Sequence, residues 1–500
     1  MITLTDLFCG AGGSSTGAVQ VPGVEVRVAS NHWQLAVDTH EANHPDTGHV
    51  CADLSQIDPR FYPRTDILWA SPECTNHSIA KGGKRDQQPD LFNPIPDEAA
   101  ERSRATMWDV PRFTEAHRYS IIIVENVVDV TRWLPYNAWL EAMDSLGYHH
   151  EVVFINSMHA WAMGEPAPQS RDRFYAVFWR KGNPRPDLQR IQRPPASCPE
   201  HGRVEAIKNW KAGRRAGRFR SQYTFRCPHT SCRGREVAPD WIPASSIIDW
   251  SDLGTRIGDR PRPLAEKTMR RIQAGIDRYW SGEDRDPLVV NHVSGSDSTR
   301  STSVHDVAPT MVAGGLHASL LVPVEGREGK AAMPVGQPYR TQTARNETAL
   351  LTPPALHLEA AGNTYDSADP KRGGGYYRIW PESEPLRTMH TTASKGVAFP
   401  PFITELRGGS SDARPTADPL ATVTASGSHH ALTTGSTLSI EDASFRMLTP
   451  AEIKRAMSFP ADYQILGTKR DQVRMAGNAV TPPAARDLIA ACAESLGVAV

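Results

Sequence analysis

The 500-residue chain carries 55 Lys and Arg against 56 Asp and Glu, a formal net charge of −1 that excludes an overall basic nucleic-acid coat and an acidic tail protein. Any surface for a polyanion must be local, and at about 100–200 residues per domain the length predicts roughly two to four domains. No run approaches the roughly 18–20 apolar residues of a membrane helix. The start, MITLTDLFCGAGG, lacks a basic leader and cleavage site, and seven Cys are too few for a disulfide framework, so a soluble, cytoplasmic chain with catalytic, metal-binding or buried thiols is expected.

From Ile2 to about Arg180, short apolar runs alternate with polar helical stretches: ITLTDLF, VEVRVAS, DILWAS, SIIIVENV, HEVVFIN and FYAVFW. That rhythm predicts a doubly wound α/β domain on a mainly parallel sheet. Ser120–Val124, largely apolar and β-branched, suits a strand covered on both faces. The Pro-rich stretch NPRPDLQRIQRPP marks the exit from this domain.

In the first strand-to-helix turn, DLFCGAGGSSTG places Gly10, Gly12, Gly13 and Gly17 where absent side chains let backbone amides and a helix N-terminus approach a ligand. GAGG is not the GxGxxG of dinucleotide sites and no GK[ST] follows, so an adenosyl ligand without a pyrophosphate fits better. VASNHW then puts Asn31, His32 and Trp33 after the second strand, where a ribose-binding group and a ring able to stack on adenine would sit. CADLSQI puts Asp53 after the third, placed to accept a hydrogen bond from an adenine amine. Taken singly, each also has a plain structural reading: a Gly-rich turn, a Trp at the core edge, a helix-capping Asp.

The next strand runs into SPECTNHSIAKGGK, so Cys74 lies at the carboxyl end of a parallel strand, where ligands bind, with Lys84 favouring a thiolate and Glu73 opposing it. Glu125 in IIIVENVVDV stands at the same edge, placed to donate a proton, or else to cap a helix or pair with a base. In QSRDRFYAVF, Arg171 and Arg173 alternate onto one strand face and could hold a carbonyl oxygen or phosphate, or form a surface pair.

Cys198-x2-His201 and Cys227-x4-Cys232 supply three thiols and an imidazole, a set suited to a closed tetrahedral zinc site, with His229 as a spare. They bracket a basic segment holding Arg203, Lys208, Lys211, Arg214, Arg215, Arg218, Arg220, Arg226, Arg233 and Arg235, which with Tyr223 and Phe225 is expected to contact DNA phosphate. From about Val289 to Thr434 the chain is rich in Gly, Ser, Thr and Pro, and residues 307–321, 384–399 and 418–433 read as weak repeats of strand, turn and strand. Thr449 followed by Glu452 predicts a capping box, and GNAVTPPAARDLIAACAESL ends in a helix.

In this order the pieces resemble the cytosine-5 DNA methyltransferase family: DLFCGAGG, SNHW, ADLSQI, SPECTNHS, VENV, QSRDR, and the closing RMLTPAEIKRAMSFP and AGNAVTPP. The resemblance implies a methyltransferase-type α/β domain in residues 1–180, completed by 441–500, and a smaller, irregular β-rich target-recognition domain at 241–440, while the zinc-binding insertion expected from the Cys/His spacing takes 181–240 between them. It implies that Phe8, Gly10, Gly12 and Trp33 surround S-adenosylmethionine, with Asp53 on the adenine and Asn478 and Val480 closing the pocket. Cys74 would attack C6 of a flipped cytosine, Glu125 would protonate N3 and Arg171 would anchor the base. Three features depart from the family: Glu73 and Thr75 flank Cys74 where Pro and Gln are usual, His32 replaces the ribose-binding acid, and the Cys/His insertion is additional. The resemblance thus predicts a monomeric enzyme on double-stranded DNA, of phage or restriction–modification type. Transfer to RNA cytosine, transfer of a modified adenosyl-derived group, and a non-catalytic DNA-binding role are the competing readings.

Overall fold

The computed structural model describes residues 1–72, 98–242 and 449–500. It also describes parts of 244–272 and 440–447 and, between 289 and 432, the backbone of short strands. The chain divides into two compact units, one of Met1–Ile242, Pro338–Asn346 and Thr449–Val500, the other of Pro243–Gln337 and Glu347–Leu448.

The first unit is built on a seven-stranded sheet. Its strands are β1 (Ile2–Leu7), β2 (Val24–Asn31), β3 (Gly48–Cys51), β4 (Ile67–Ala70), β5 (Ile121–Asn126), β6 (Tyr148–Asn156) and β7 (Asp172–Arg180). Their order is β3-β2-β1-β4-β5-β7-β6. β1 pairs in parallel with β2 and β4, β2 with β3, and β4 with β5, whereas β7 is antiparallel to both β5 and β6. The doubly wound, mainly parallel sheet expected from the alternating runs is therefore present, with one reversed strand.

Strand alternation explains why the apolar runs are continuous. Ile67, Trp69, Ile121 and Ile123 face one layer, while Leu68, Ala70, Ile122 and Val124 face the other. The second layer is filled from α3 (Glu98–His117) and α4 (Tyr136–Ser145) by Met107, Val110, Phe113, Trp139 and Met143. The first is filled by α7 (Pro482–Ser495), whose Leu488 and Ile489 are fully buried. Burying a Leu or Ile side chain contributes about 1.5–3 kcal/mol, so the C-terminal segment is part of the core. Polar contacts hold it there: Ser157 and Thr481 share a hydroxyl hydrogen bond at 2.8 Å, and the Asp487 carboxylate accepts from the amides of Ala162 and Met163 at 2.8 and 3.2 Å. α5 (Pro450–Ala456) opens with the expected capping box, Thr449 and Glu452 each bonding the other's backbone N–H. α6 (Lys469–Asn478) follows.

Residues after β7 form two hairpins, β8 (Pro195–Cys198) with β9 (Gly202–Glu205) and β10 (Ile207–Trp210) with β11 (Tyr223–Arg226). In the second unit, short antiparallel strands make sheets of five, three, three and two strands among the described residues. The latter part of each weak repeat is a strand, at Leu320–Pro323, Lys395–Ala398 and His430–Leu432. Their leading parts lie outside the described residues.

Candidate active site

Ligand sites of open α/β sheets form outside the carboxyl ends of the parallel strands, and the candidate residues in this chain gather there. After β1 the backbone turns sharply, with Phe8, Gly10 and Gly12 all left-handed at φ 61, 53 and 79°. The glycines have different reasons to be glycine. A Cβ on Gly13 would strike the Val480 carbonyl, one on Gly12 the Tyr463 hydroxyl, and one on Gly17 would lie 2.5 Å from the Pro482 carbonyl. Among the described residues, only the Phe8 carbonyl comes within 4 Å of a Cβ on Gly10, at 3.9 Å. Gly10 thus faces open space among the described residues, while Gly12, Gly13 and Gly17 let the C-terminal segment close onto the loop. Tyr463 fixes that contact by donating its hydroxyl to the Ala11 carbonyl at 2.5 Å.

Beneath the loop, Asp6 is fully buried and accepts hydroxyl hydrogen bonds from Ser14 and Ser15, both at 2.6 Å. Burial pushes its carboxyl up to about 6, against the two serine hydrogen bonds. Sequence reasoning passed over Asp6, although an acid closing a buried strand just before GAGGSS was a readable signal.

At the end of β2, Trp33 caps α2 (Gln34–Asn43), and its amide donates to the Asn31 side chain at 3.0 Å. The Arg474 guanidinium lies 4.6 Å from the Trp33 ring centroid. His32 is exposed. Asp53 is exposed in the turn after β3, where its carboxylate accepts from the Ser55 amide at 3.1 Å and the Gln56 side chain at 2.9 Å. That turn is held to α3, since Ser55 donates to Asp109 at 2.8 Å and Arg112 donates to the Ile57 carbonyl at 2.7 Å. Asn478 is exposed at the end of α6, and Val480 packs into the core between α7 and the sheet.

Glu125 is 8 % exposed at the end of β5, and Arg173 Nε donates to its Oε1 at 2.9 Å. This pairing follows from the reversal of β7. Because β7 is antiparallel, its first residues lie at the carboxyl edge where β5 ends. Arg171 is buried, at 2 % exposure, and donates from Nη2 to the Ala479 carbonyl at 3.0 Å, so the C-terminal segment also orients this guanidinium. The next residue of β5, Asn126, donates to the Pro72 carbonyl at 3.3 Å and ties the end of β4 to this edge. Cys74, with its neighbours Glu73, Thr75, Gly82, Gly83 and Lys84, lies outside the described residues.

Cys198, His201, Cys227 and Cys232 come together as their spacing predicted, with all four ligand atoms within 4.8 Å of one another. Cys232 Sγ lies 3.0 Å from His201 Nδ1 and 3.4 Å from Cys198 Sγ. The His201 hydrogen bond, with backbone amides, draws the Cys198 thiol down to about 6, while burial and the adjoining sulfurs push Cys232 up to about 12. Three thiolates in that volume repel one another, and a divalent cation is the partner that lets such a set ionise together. The spare candidate His229 instead stacks on the His201 ring, with centroids 4.2 Å apart.

Several of the bracketed basic residues have partners inside the chain. Arg203 pairs with Asp240, Arg218 with Asp129 at 2.5 Å and Arg235 with Glu200 at 2.7 Å. The Lys208 ammonium donates to the Phe154 carbonyl at 2.5 Å, and burial draws it down to about 7. These four serve the fold, whereas Arg214, Arg215, Arg220, Arg226 and Arg233 remain exposed.

The model of the C-5 cytosine-specific DNA methylase family matches residues 2–217 and 362–494, more than half of the chain. The chain belongs to that family. Curated relatives include the type II methyltransferase M.SsoII of Shigella sonnei, 27 % identical over 183 residues, or 36 % of this chain and 42 % of that protein. Another is M.HgiBI of Herpetosiphon aurantiacus, 30 % identical over 178 residues, or 34 % of this chain and 36 % of that one. The chain thus matches less than half the length of either. Among solved structures, the S. pombe Dnmt2 methyltransferase is 11 % identical with a TM-score of 0.44, covering 100 % of both chains. The Entamoeba histolytica methyltransferase EhMeth is 10 % identical with a TM-score of 0.43, covering 100 % of this chain and 99 % of that one. No helix among the described residues is long and apolar enough to cross a membrane.

Proposed function

We propose that this methylase acts on DNA, adding a methyl group to C5 of a cytosine turned out of the duplex. The observation that carries the reading is the meeting at one sheet edge of Glu125, Arg173 and Arg171, next to the strand that leads through Pro72 to Cys74. Gly10, left-handed and facing open space among the described residues, fits a loop shaped to receive an adenosyl ligand, with Phe8, Trp33 and Asp53 around it and Gly12, Gly13, His32, Asn478 and Val480 at its margins. When bound, S-adenosylmethionine supplies an electrophilic sulfonium methyl.

The residues of the chain supply the rest. C5 of cytosine is a poor nucleophile until the Cys74 thiolate adds to C6, and proton donation to N3 by Glu125 offsets the charge that this addition creates. Arg173 fixes the Glu125 carboxyl through Nε, and Arg171, locked on the Ala479 carbonyl, presents a rigid cation to the base. Loss of the C5 proton and of Cys74 then restores the aromatic ring. Neither atom of the C5–C6 bond is reachable inside a stacked duplex, so the target base must be flipped. We read the Cys198, His201, Cys227 and Cys232 cluster as a structural zinc site, and exposed Arg214, Arg215, Arg220, Arg226 and Arg233 as the surface for DNA phosphate. A restriction–modification role follows the type II character of the relatives.

The test is expression in a host that lacks cytosine-5 modification, with mass spectrometry of its digested DNA beside a Cys74→Ala control. A methyl-sized gain on deoxycytidine, lost in the control, is expected. A gain retained by Cys74→Ala would refute the covalent mechanism, a different mass would make His32 the mark of altered transfer chemistry, and a gain confined to RNA would refute the DNA assignment.

A further inference from the structure

Asp172 lies between the two arginines, and strand alternation sends it to the opposite face of β7. There its carboxylate accepts from the Phe219 amide at 3.0 Å and the Tyr223 hydroxyl at 3.1 Å. Both donors belong to the Cys/His insertion. Tyr223 opens β11, a strand of four residues that runs directly into the candidate ligand Cys227. The position of the Tyr223 hydroxyl is thus set a few residues from the metal cluster.

The insertion grips the sheet at three further points around Asp172. Arg218 reaches Asp129, which is 3 % exposed in the turn just after Glu125. Lys208 bonds the Phe154 carbonyl on β6 and lies 4.8 Å from the Tyr223 ring centroid. The buried His159 ring meets Phe219 and Phe225 edge-on, with centroids 4.7 and 5.1 Å away. The strands carrying Glu125 and the two arginines are therefore both held from one module. Its own buried core consists of Ala196, Val204, Ala206, Tyr223, Phe225 and Val237 with the three cysteines, too small an apolar set to order a fold of this size without a staple.

We propose that zinc bound by Cys198, His201, Cys227 and Cys232 makes this insertion a clamp on the catalytic strand, holding Arg171 and Arg173 in place through Asp172. Metal loading thereby sets the geometry of the Arg173–Glu125 pair. Asp172 and Tyr223 are positioning residues in this scheme, and the inference rests on the methylase reading for its kinetic readout alone.

The experiment compares the full-length zinc-loaded protein with Tyr223→Phe, Asp172→Asn and protein stripped of zinc by chelation. Metal content, hydrogen exchange over residues 169–180 and steady-state methylation are measured on each. Expected are about one zinc per chain in the wild type and both point variants, and faster exchange over 169–180 in both variants and in the stripped protein, with β2 as an unchanged internal reference. kcat should fall about 10- to 100-fold in the point variants, as for loss of a hydrogen bond to a charged group, with KM for DNA nearly unchanged. Re-adding zinc should restore the stripped protein. Wild-type exchange over 169–180 in the zinc-loaded point variants would overturn the clamp, as would stripped protein with unchanged exchange there. Absence of zinc from the wild type would overturn the metal assignment. If no form methylated DNA, the functional reading would fall, while the exchange measurements would still decide the clamp.

Discussion

The different duties of the glycines in GAGG can be separated by paired substitutions, Gly13→Ala and Gly10→Ala. At Gly13 the added methyl would meet the Val480 carbonyl, a backbone atom at the entry to α7 that cannot rotate away. Overpacking of a tight site costs about 1–3 kcal/mol and occasionally more. The strain would fall on the closure between the loop and the C-terminal segment, to which Ser157, Ala162, Met163 and Arg171 are also bonded. At about 2–4 °C per kcal/mol for a domain of this class, the midpoint of thermal unfolding should drop by about 2–12 °C. At Gly10 the methyl meets open space among the described residues, so the cost is that of a left-handed alanine, about 1–2 kcal/mol, and the main loss should be in cofactor binding. Differential scanning calorimetry and titration with S-adenosylmethionine read the two effects separately. Gly13→Ala with a wild-type melting profile, or Gly10→Ala with wild-type cofactor affinity, would refute this division of labour.

Three other expectations follow from the same geometry. Because burial holds the Asp6 carboxyl at about 6 rather than 3.8, the folded chain binds that proton more tightly than the unfolded chain. Its contribution should therefore fall as pH rises from about 4 to 6, by about 3 kcal/mol in all, and an unfolding series in which Asp6→Asn shows the same pH slope as wild type would contradict it. Glu125→Gln should lower kcat about 10²–10⁴-fold with DNA affinity retained, and Arg173→Lys should give a smaller loss because an ammonium cannot reproduce the Nε contact; equal kcat in Glu125→Gln and wild type would exclude proton donation. Replacing exposed Arg214 and Arg215 together by Ala should reduce the salt slope of DNA binding by up to about 2, and an unchanged slope in a binding titration would remove this surface from the phosphate contact.

Much of the fold was legible because its signals are local. Alternating apolar runs encode strands and helices through side-chain periodicity, and the Thr449–Glu452 box needs only two residues three apart. The Cys/His quartet was likewise readable, because thiols and imidazole at short spacing have few other uses in a chain with so few cysteines. The candidate residues at the strand ends could be named for the same reason, since a parallel strand presents its carboxyl end as the binding edge.

What local pattern could not carry was partnership between distant segments. That β7 is reversed, and so delivers Arg173 to Glu125, depends on which strand it pairs with. Gly12, Gly13 and Gly17 looked like ligand glycines, and only the arrival of Tyr463, Val480 and Pro482 from the far end of the chain shows that their missing side chains make room for protein. Lys208 and Arg218 read as contacts to DNA phosphate, yet both are engaged, with Asp172, where the insertion meets the sheet. The sequence by itself determined the elements, the Cys/His quartet and the candidate edge at the strand ends, because those follow from residue type and spacing. The tertiary structure alone decided which charges face one another, because a buried carboxylate or guanidinium is placed by whichever donor or acceptor the fold brings to it.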